Sequence, residues 1–267
     1  MRATANQFFD GIGEPIERFE AFPEDLSDLP FLASAFVGAA EAELIVPARL
    51  PRRSPDRAMP QEREDWRWLR RAIDCVGSLA LIVVLLPVMM LIMAAIRLGE
   101  GGPVLFAHRR VGQGGRSFAC LKFRTMQRGA EAGLPAVLAA HPELEREWAQ
   151  TQKLLVDPRV TRLGRFLRNT SLDELPQLLN VLVGEMTLVG PRPIVADELE
   201  RYGRHAECYL KLKPGLTGLW QVTRGAQTSY RRRVATDVLY GRKRSLALDL
   251  GIILMTVPAV LFGSGAG

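Results

Sequence analysis

An uninterrupted apolar run is the feature that most constrains how this chain can fold. From Cys75 to Ile96, about 22 residues include Gly77, Ser78 and Pro87 but no charged side chain. A run of this length is sufficient for a helix that enters a lipid bilayer. The sequence therefore predicts a membrane-associated protein.

Basic residues flank the apolar run on both sides. They are Arg67, Arg70 and Arg71 before it, and Arg97, Arg109 and Arg110 after it. A helix that crosses the membrane should have its basic flank mainly on the cytoplasmic side. Two basic flanks favour a re-entrant helical hairpin over about residues 68–98, which enters and leaves on one face and bends at Pro87, where a backbone donor is missing. A single-pass helix with a tolerated proline is the alternative.

The segment before residue 65 differs in composition from the remainder. Its first part is acidic, with carboxylates at Asp10, Glu14, Glu17, Glu20, Glu24, Asp25, Asp28, Glu41 and Glu43. No helical or strand period is sustained there, so we predict a poorly ordered extension over 1–64 and one membrane-associated domain over 65–267. Since the formal net charge is +6 despite this acidic segment, the domain is basic and suits anionic partners.

The domain is predicted to be α+β and mainly helical. Val104–Val111 and Ser117–Met126 have extended character and are joined by a glycine-rich turn at Gly112–Gly115, which predicts a small β-hairpin. Helical segments are predicted over Ala130–Gln152, Leu172–Val183, Val195–Leu212, Arg232–Tyr240 and Leu246–Phe262. The last contains Asp249 and Pro258, which favours an amphipathic interfacial or buried helix over a second membrane span.

Cysteines and histidines provide little support for metal or triad chemistry. Three cysteines and three histidines are scattered along the chain without metal-ligand spacing. Catalysis is therefore expected to depend on carboxylates.

The most informative carboxylates are Asp173 and Glu174, within the segment Leu172–Gln177. Pro176 is tolerated in a first helical turn, which places both acids at a helix N-terminus. Backbone donors and the helix dipole favour anions there. On pattern alone, a capping box formed by Ser171 and Glu174 is the alternative explanation.

Cations surround these acids in the sequence. Lys122, Arg124, Arg159, Arg162, Arg165 and Arg168 lie upstream, and Arg192 follows between two prolines. A carboxylate can attack phosphorus, a divalent ion can neutralise phosphate oxygens, and arginines can stabilise the developing charge. The combination predicts metal-assisted phosphoryl transfer, whereas a solvated basic face that contacts anionic lipid is the alternative for most individual arginines.

Six ordered motifs together resemble those of the bacterial sugar transferase family, the monotopic polyprenyl-phosphate phosphoglycosyl transferases. They are Arg71-x-x-Asp74, Lys122-Phe123-Arg124-Thr125-Met126, Asp157-Pro158-Arg159-Val160-Thr161, Leu172-Asp173-Glu174-Leu175-Pro176-Gln177, Gly190-Pro191-Arg192-Pro193 and Pro214-Gly215-Leu216-Thr217-Gly218-Leu219-Trp220-Gln221. The resemblance runs from about Arg67 to the C-terminus. It implies a re-entrant membrane helix, in agreement with the flanking charges.

The resemblance also implies a two-step reaction and roles for individual residues. Asp173 would attack the sugar-bearing phosphate of a UDP-sugar and expel UMP, after which undecaprenyl phosphate would take the phosphosugar. Glu174 would hold Mg²⁺, and Arg192 would contact phosphate. Other substrate-binding candidates are Lys122, Arg124, Asp157, Arg159 and Arg168.

Departures from the family pattern affect the finer assignment. Val222-Thr223-Arg224-Gly225 stands where relatives often have a Ser-Gly-Arg-like turn, and Leu86 rather than serine precedes Pro87. The chain resembles the short exopolysaccharide-initiating type, for which galactose or glucose is the usual sugar.

The implied location is the cytoplasmic face of the bacterial inner membrane. Polysaccharide assembly proteins and a second copy of the chain are further candidate partners. A non-catalytic membrane scaffold of the same pathway is the first rival hypothesis. Nucleic-acid binding is the second; it is disfavoured because the basic residues are not interleaved with stacking aromatics.

Overall fold

The computed structural model describes residues 64–151, 154, 156–223 and 229–262. The extension predicted over 1–64 lies, apart from its last residue, outside the described residues.

The apolar run forms part of one long helix, α1 (Glu64–Gly99), of 36 residues. Only 17% of its most apolar stretch is buried in the protein, which is unlike the core helix of a soluble domain. The predicted helix is confirmed, and α1 is long and apolar enough to cross a membrane. It continues through Pro87, so the re-entrant topology stays a prediction.

The predicted β-hairpin is confirmed. Strands β1 (Leu105–Val111) and β2 (Ser117–Phe123) are antiparallel, with Val111 opposite Ser117 and Leu105 opposite Phe123. The connection is a short 3-10 turn over Gln113–Gly115, in which Gly114 has a φ of 71°. Glycine adopts this left-handed conformation at no steric cost, which supports the predicted tight turn rather than a phosphate-binding loop.

The helix predicted over Ala130–Gln152 is wrong as a single element, because it divides into α2 (Ala130–Ala140) and α3 (Pro142–Thr151). Its final residue, Gln152, lies outside the described residues. Pro142 disfavours the helical conformation for the residue before it, and His141 accordingly has φ −136° and ψ 87°.

The remaining helices are short except at the C-terminus. They are α4 (Arg162–Asn169), α5 (Gln177–Val183), α6 (Ala196–Glu200), α7 (Ala206–Leu210), α8 (Leu219–Thr223), α9 (Tyr230–Lys243) and α10 (Leu246–Phe262), with 3-10 turns over Leu172–Glu174 and Gly203–His205. In α10, Leu248 and Ile252 are buried in the core. The buried-helix interpretation of the C-terminal segment is therefore confirmed for its inner face.

A second, parallel pair of strands was not predicted. Strand β3 (Thr187–Val189) pairs with β4 (Gly215–Thr217), bringing the two glycine- and proline-containing motifs together. Gly190 N–H donates to Thr217 O at 2.9 Å, and Gly215 N–H donates to Pro191 O at 2.8 Å. A Cβ on Gly218 would lie 2.1 Å from the Gly190 oxygen, so the close approach of these backbones requires glycine there.

Candidate active site

The two candidate catalytic acids lie in the 3-10 turn Leu172–Glu174, immediately before α5. Helix α5 begins at Gln177, with Pro176 as its N-cap. The helix predicted over Leu172–Val183 is therefore wrong in its first turn, because Asp173 and Glu174 precede α5 instead of opening it.

The capping-box alternative is also wrong. Ser171 has a left-handed backbone with φ 57°, and its side chain makes no capping hydrogen bond. The Glu174 carboxylate instead accepts a hydrogen bond from the side chain of Lys122. A left-handed non-glycine residue two positions before the candidate nucleophile Asp173 is the kind of backbone strain that accompanies active sites.

Two elements bring cations into contact with this acidic pair. Lys122 on β2 places its Nζ 2.7 Å from Glu174 Oε1 and 3.7 Å from Asp173 Oδ2. Arg192, in the loop after β3, places Nη2 3.4 Å from Glu174 Oε1. These four residues, all singled out in the sequence, therefore lie together. With Arg168 on α4, whose charge acts on Asp173, they are called the dyad cluster.

Asp173 is the most buried acid of the cluster, with 7% of its surface exposed. Burial raises the pKa of its carboxyl above the ordinary value; Lys122, Arg168 and Arg192 oppose the rise, and Glu174 adds to it. Loss of water leaves a carboxylate less shielded, while the cations favour the ionised form. A carboxylate with these surroundings is suited to act as a nucleophile toward phosphate.

Arg168 lies at the edge of this cluster. Its Nε donates to Thr125 Oγ1 at 2.9 Å. Burial lowers the pKa of Arg168, and the charges of Asp173 and Asp157 oppose this change. The guanidinium is therefore electrostatically coupled to the candidate nucleophile.

Arg124 contacts the turn that follows α1. Its guanidinium is buried and donates to the Gly101 carbonyl, in the turn after α1. Nε and Nη1 have no hydrogen-bond partner among the described residues. Within that part of the chain, Arg124 contacts neither carboxylate of the dyad, and its substrate-binding role stays a prediction.

Asp157 and Arg159 are engaged with each other. Arg159 Nε donates to Asp157 Oδ1 at 2.9 Å, Nη2 donates to Oδ2 at 2.7 Å, and Nη1 donates to Ala130 O at 3.0 Å. Burial by itself would raise the pKa of the Asp157 carboxyl. The hydrogen bonds and the charge of Arg159 outweigh this effect and hold the pKa below its ordinary value. Through the Ala130 carbonyl, Arg159 stabilises the start of α2. Among the described residues, neither Asp157 nor Arg159 forms an ion pair with Asp173 or Glu174.

The sequence analysis missed a buried amide that joins the dyad segment to the hairpin. Asn180 Nδ2 donates to Ala119 O at 2.8 Å, and Leu121 N–H donates to Asn180 Oδ1 at 3.0 Å. The Asn180 amide therefore replaces a strand partner along the edge of β2, which fixes α5 relative to Lys122. The available signal was a single polar residue inside an otherwise apolar segment.

Arg192 has support that was also missed. Arg233 on α9 donates from Nη2 to Arg192 O at 3.5 Å, a long contact, and its Nη1 lies 3.2 Å from Glu198 Oε2. The backbone of the loop that carries Arg192 is thus held by α9. No local sequence pattern predicts this contact.

The residues present fit a Mg²⁺ ion that is shared with substrate. Among the described residues, no group of three or more histidine, cysteine or acidic side chains could enclose a metal. Mg²⁺ is commonly held by one or two carboxylates together with substrate phosphates and water. Glu174 would provide such an oxygen ligand, and the Lys122 and Arg192 side chains beside it favour a phosphate.

Comparisons with known proteins agree with this arrangement. The model of a family described as "Bacterial sugar transferase" matches residues 66–263 of this chain. The exopolysaccharide production protein ExoY of Sinorhizobium fredii is 45% identical over 197 residues, covering 74% of this chain and 87% of the relative. The undecaprenyl-phosphate galactose phosphotransferase of Salmonella typhimurium is 45% identical over 200 residues, covering 75% of this chain and 42% of the relative.

A glucose-specific relative is also similar. The UDP-glucose:undecaprenyl-phosphate glucose-1-phosphate transferase of Caulobacter vibrioides is 40% identical over 215 residues, which is 78% of this chain and 74% of the relative.

The long exposed apolar helix and the carboxylate–cation cluster define a membrane-associated transferase. The chain belongs to the bacterial sugar transferase family. The family resemblance expected from the six motifs is thereby confirmed.

Proposed function

We propose that this enzyme transfers a hexose-1-phosphate from a UDP-sugar to undecaprenyl phosphate and releases UMP. The observation that carries the proposal is the buried Asp173 carboxylate beside Glu174, with Lys122 in contact with both. The relatives named above act on galactose and glucose. These two sugars are therefore the first candidates for the donor.

In the first step, an Asp173 carboxylate oxygen attacks the phosphorus that carries the sugar. A new P–O bond forms to Asp173, and the bond from that phosphorus to the oxygen of UMP breaks, so UMP leaves with the electron pair. In the second step, an oxygen of the lipid phosphate attacks the same phosphorus. The bond to Asp173 breaks, which regenerates the carboxylate and yields the lipid-linked diphosphosugar.

The other residues of the dyad cluster stabilise charge during both steps. Lys122 and Arg192 provide preorganised donors near the position where phosphate oxygens become more negative. Burial raises the pKa of the Asp173 carboxyl, and the charge of Arg168 opposes that rise and so favours the ionised form. Glu174 would hold Mg²⁺, which would supply further neutralisation of phosphate charge.

The contacts of α1 support a re-entrant topology. Near its start, the Asp74 carboxylate accepts from Leu188 N–H at 2.8 Å and from the Thr187 hydroxyl at 3.0 Å. Near its end, Ile96 packs in a cluster with Phe123 and Leu167. Both ends of α1 thus contact the same folded domain, whereas Leu79, Val83, Val84 and Leu86 between them are exposed.

A helix that crossed the membrane would place its two ends on opposite sides, and one domain contacts both. We therefore infer that the middle of α1 dips into the bilayer from the cytoplasmic face. A membrane-impermeant maleimide added outside intact spheroplasts should label neither Trp68→Cys nor Leu98→Cys in a background without the natural cysteines. Labelling of one position from outside would favour the single-pass alternative.

The activity is tested by UMP release from detergent-solubilised protein given Mg²⁺, undecaprenyl phosphate and a panel of UDP-sugars. We expect release with one sugar, and a fall of at least about 10³-fold for Asp173→Asn, which keeps the shape of the nucleophile but removes its charge. If folded wild-type protein releases UMP with none of the sugars, the non-catalytic scaffold becomes the leading hypothesis.

A further inference from the structure

A cavity of about 460 Å³ lies beside the start of α1, away from the dyad cluster. Its lining includes Asp74, Thr187 and Lys213. It also includes Arg71, whose guanidinium donates to Val181 O and Leu182 O at the end of α5. The dyad precedes the other end of α5, and seven helical residues extend about 10 Å. The cavity is therefore a separate site from the one that holds the proposed nucleophile.

Positive charge is concentrated in this cavity. Its five cationic lining residues are Arg67, Arg70, Arg71, Lys213 and Arg244. Among the described residues, Asp74 is the single carboxylate of the lining, and it already accepts from Leu188 N–H and the Thr187 hydroxyl. Even with the ion pair between Arg70 and Asp249 taken into account, cations outnumber carboxylates there.

The neighbouring cations repel the positive charge of Lys213. Burial lowers the pKa of the Lys213 ammonium, and the charges of Arg71, Arg244 and Arg67 lower it further, whereas Asp74 opposes this effect. In the ranges that the structure describes, no carboxylate forms an ion pair with Lys213. An anion in the cavity would relieve this repulsion.

The position of the cavity along α1 indicates where such an anion comes from. Arg67, Arg70 and Arg71 lie in the turns just before the apolar run begins at Cys75, at the level where a bilayer has its headgroups. Trp68, which also lines the cavity, is 77% exposed. Tryptophan is enriched at this level, and basic pockets beside membrane helices suit phosphate headgroups.

We propose that this cavity binds the phosphate headgroup of an anionic membrane phospholipid. Guanidinium groups of the lining provide paired donors that match phosphate oxygens, and Lys213 provides a half-buried point charge. Because Arg71 and Asp74 join α1 to α5 and β3, a bound headgroup would fix the start of α1 against the segment that carries the dyad.

The test is a titration of full-length protein in a non-ionic detergent, followed by calorimetry. The probe is dioctanoyl phosphatidylglycerol, with dioctanoyl phosphatidylcholine, a zwitterion of zero net charge, as the comparison. The variants are Arg67→Gln and Lys213→Gln, alone and together. Arg146→Gln on α3 removes the same charge from an exposed position outside the cavity and is the matched control.

We expect wild type and Arg146→Gln to bind phosphatidylglycerol with equal affinity and phosphatidylcholine with none detected. Each cavity substitution should weaken binding about fivefold, and the double variant about 30-fold, as expected for loss of one and two interfacial cations. Thermal unfolding of each variant and its UMP release in detergent should match wild type, which separates this site from the proposed reaction.

Three results would overturn the proposal. The first is binding of phosphatidylglycerol by the double variant with wild-type affinity. The second is equal displacement by inorganic phosphate, which would indicate a general anion site. The third is binding confined to polyprenyl phosphate and lost in the variants, which would identify the cavity as part of the acceptor site.

Discussion

The dyad cluster and the Asp157–Arg159 pair are similar in sequence but differ in the structure. Both combine buried acids with arginine or lysine, and both lie in motifs that resemble those of the same family. In the pair, all three guanidinium nitrogens of Arg159 have an acceptor, between 2.7 and 3.0 Å away. In the cluster, the contacts from Lys122 and Arg192 to the two carboxylates range from 2.7 to 3.7 Å.

The pKa directions show what this difference means. Arg159 holds the pKa of the Asp157 carboxyl below its ordinary value, whereas burial raises that of Asp173. The Asp157–Arg159 pair is stabilised in its ionised form. The cluster keeps a carboxylate that its surroundings stabilise incompletely, which is the condition expected of a reacting group. Motifs alone do not separate these two cases, because both contain the same residue types.

Apart from removal of the nucleophile itself, the largest expected fall in rate comes from replacing Lys122, the cation that contacts both acids. Lys122→Gln should lower kcat for UMP release about 10²-fold, because it removes a preorganised positive charge from the reacting phosphate. Lys211→Gln, at an exposed position of the same residue type, is the matched control. An equal fall in both variants would show that overall charge, and not the cluster, controls the rate.

The pair should respond in stability rather than in chemistry. Asp157→Ala leaves the buried Arg159 guanidinium without its carboxylate and should reduce the free energy of unfolding by about 3 kcal/mol. Denaturant titration in detergent measures this change. Addition of Arg159→Leu should restore part of the stability, and UMP release per folded molecule should stay within about threefold of wild type. A fall in kcat as large as that of Lys122→Gln would place the pair in the reaction.

The pH dependence of stability extends the comparison to another buried carboxylate, that of Asp237. Burial raises the pKa of Asp237 to about 7 from an ordinary 3.8, although the Tyr202 hydroxyl donates to it at 2.6 Å. A raised pKa in the folded state means that the stability contributed by the neutral form is fully present below about pH 4. This stability is lost as the pH rises through about 7.

Asp237→Asn should therefore raise the Tm more at pH 8 than at pH 5, because asparagine stays neutral at both values. Thermal unfolding in detergent at the two pH values checks this expectation. An increase in Tm that is the same at both would show that Asp237 does not titrate in this range.

The smallest expected effect concerns Ser171. Since its side chain caps nothing, Ser171→Ala should change the free energy of unfolding by less than about 0.5 kcal/mol, whereas loss of a capping box costs about 1 kcal/mol. A loss of that larger size would restore the capping interpretation and weaken the contrast between the two regions.

Sequence patterns predicted the elements whose signals are local. The apolar run of α1 and the glycine turn between β1 and β2 are readable from periodicity and turn chemistry. The charged members of the dyad cluster were also found, because Asp173 and Lys122 are residue types that phosphate chemistry needs.

What the sequence could not predict depends on tertiary contacts. Strands β3 and β4 have three residues each, and their paired residues are 28 positions apart, since Thr187 lies opposite Gly215, so they carry no periodic signal. Their pairing, and the close contact of Gly190 with Gly218, exist only in the folded domain. In the same way, nothing local in the sequence predicts that the side chains of Asp157 and Arg159 form an ion pair with each other.

The most direct test of the account is to trap the proposed intermediate. Protein incubated with Mg²⁺ and its UDP-sugar, but without lipid phosphate, is quenched, digested and analysed by mass spectrometry. The account predicts one hexose phosphate on the peptide that contains Asp173, its disappearance when undecaprenyl phosphate is added, and none on Asp173→Asn. Steady UMP release by Asp173→Asn at the wild-type rate, or an adduct on another residue, would contradict it.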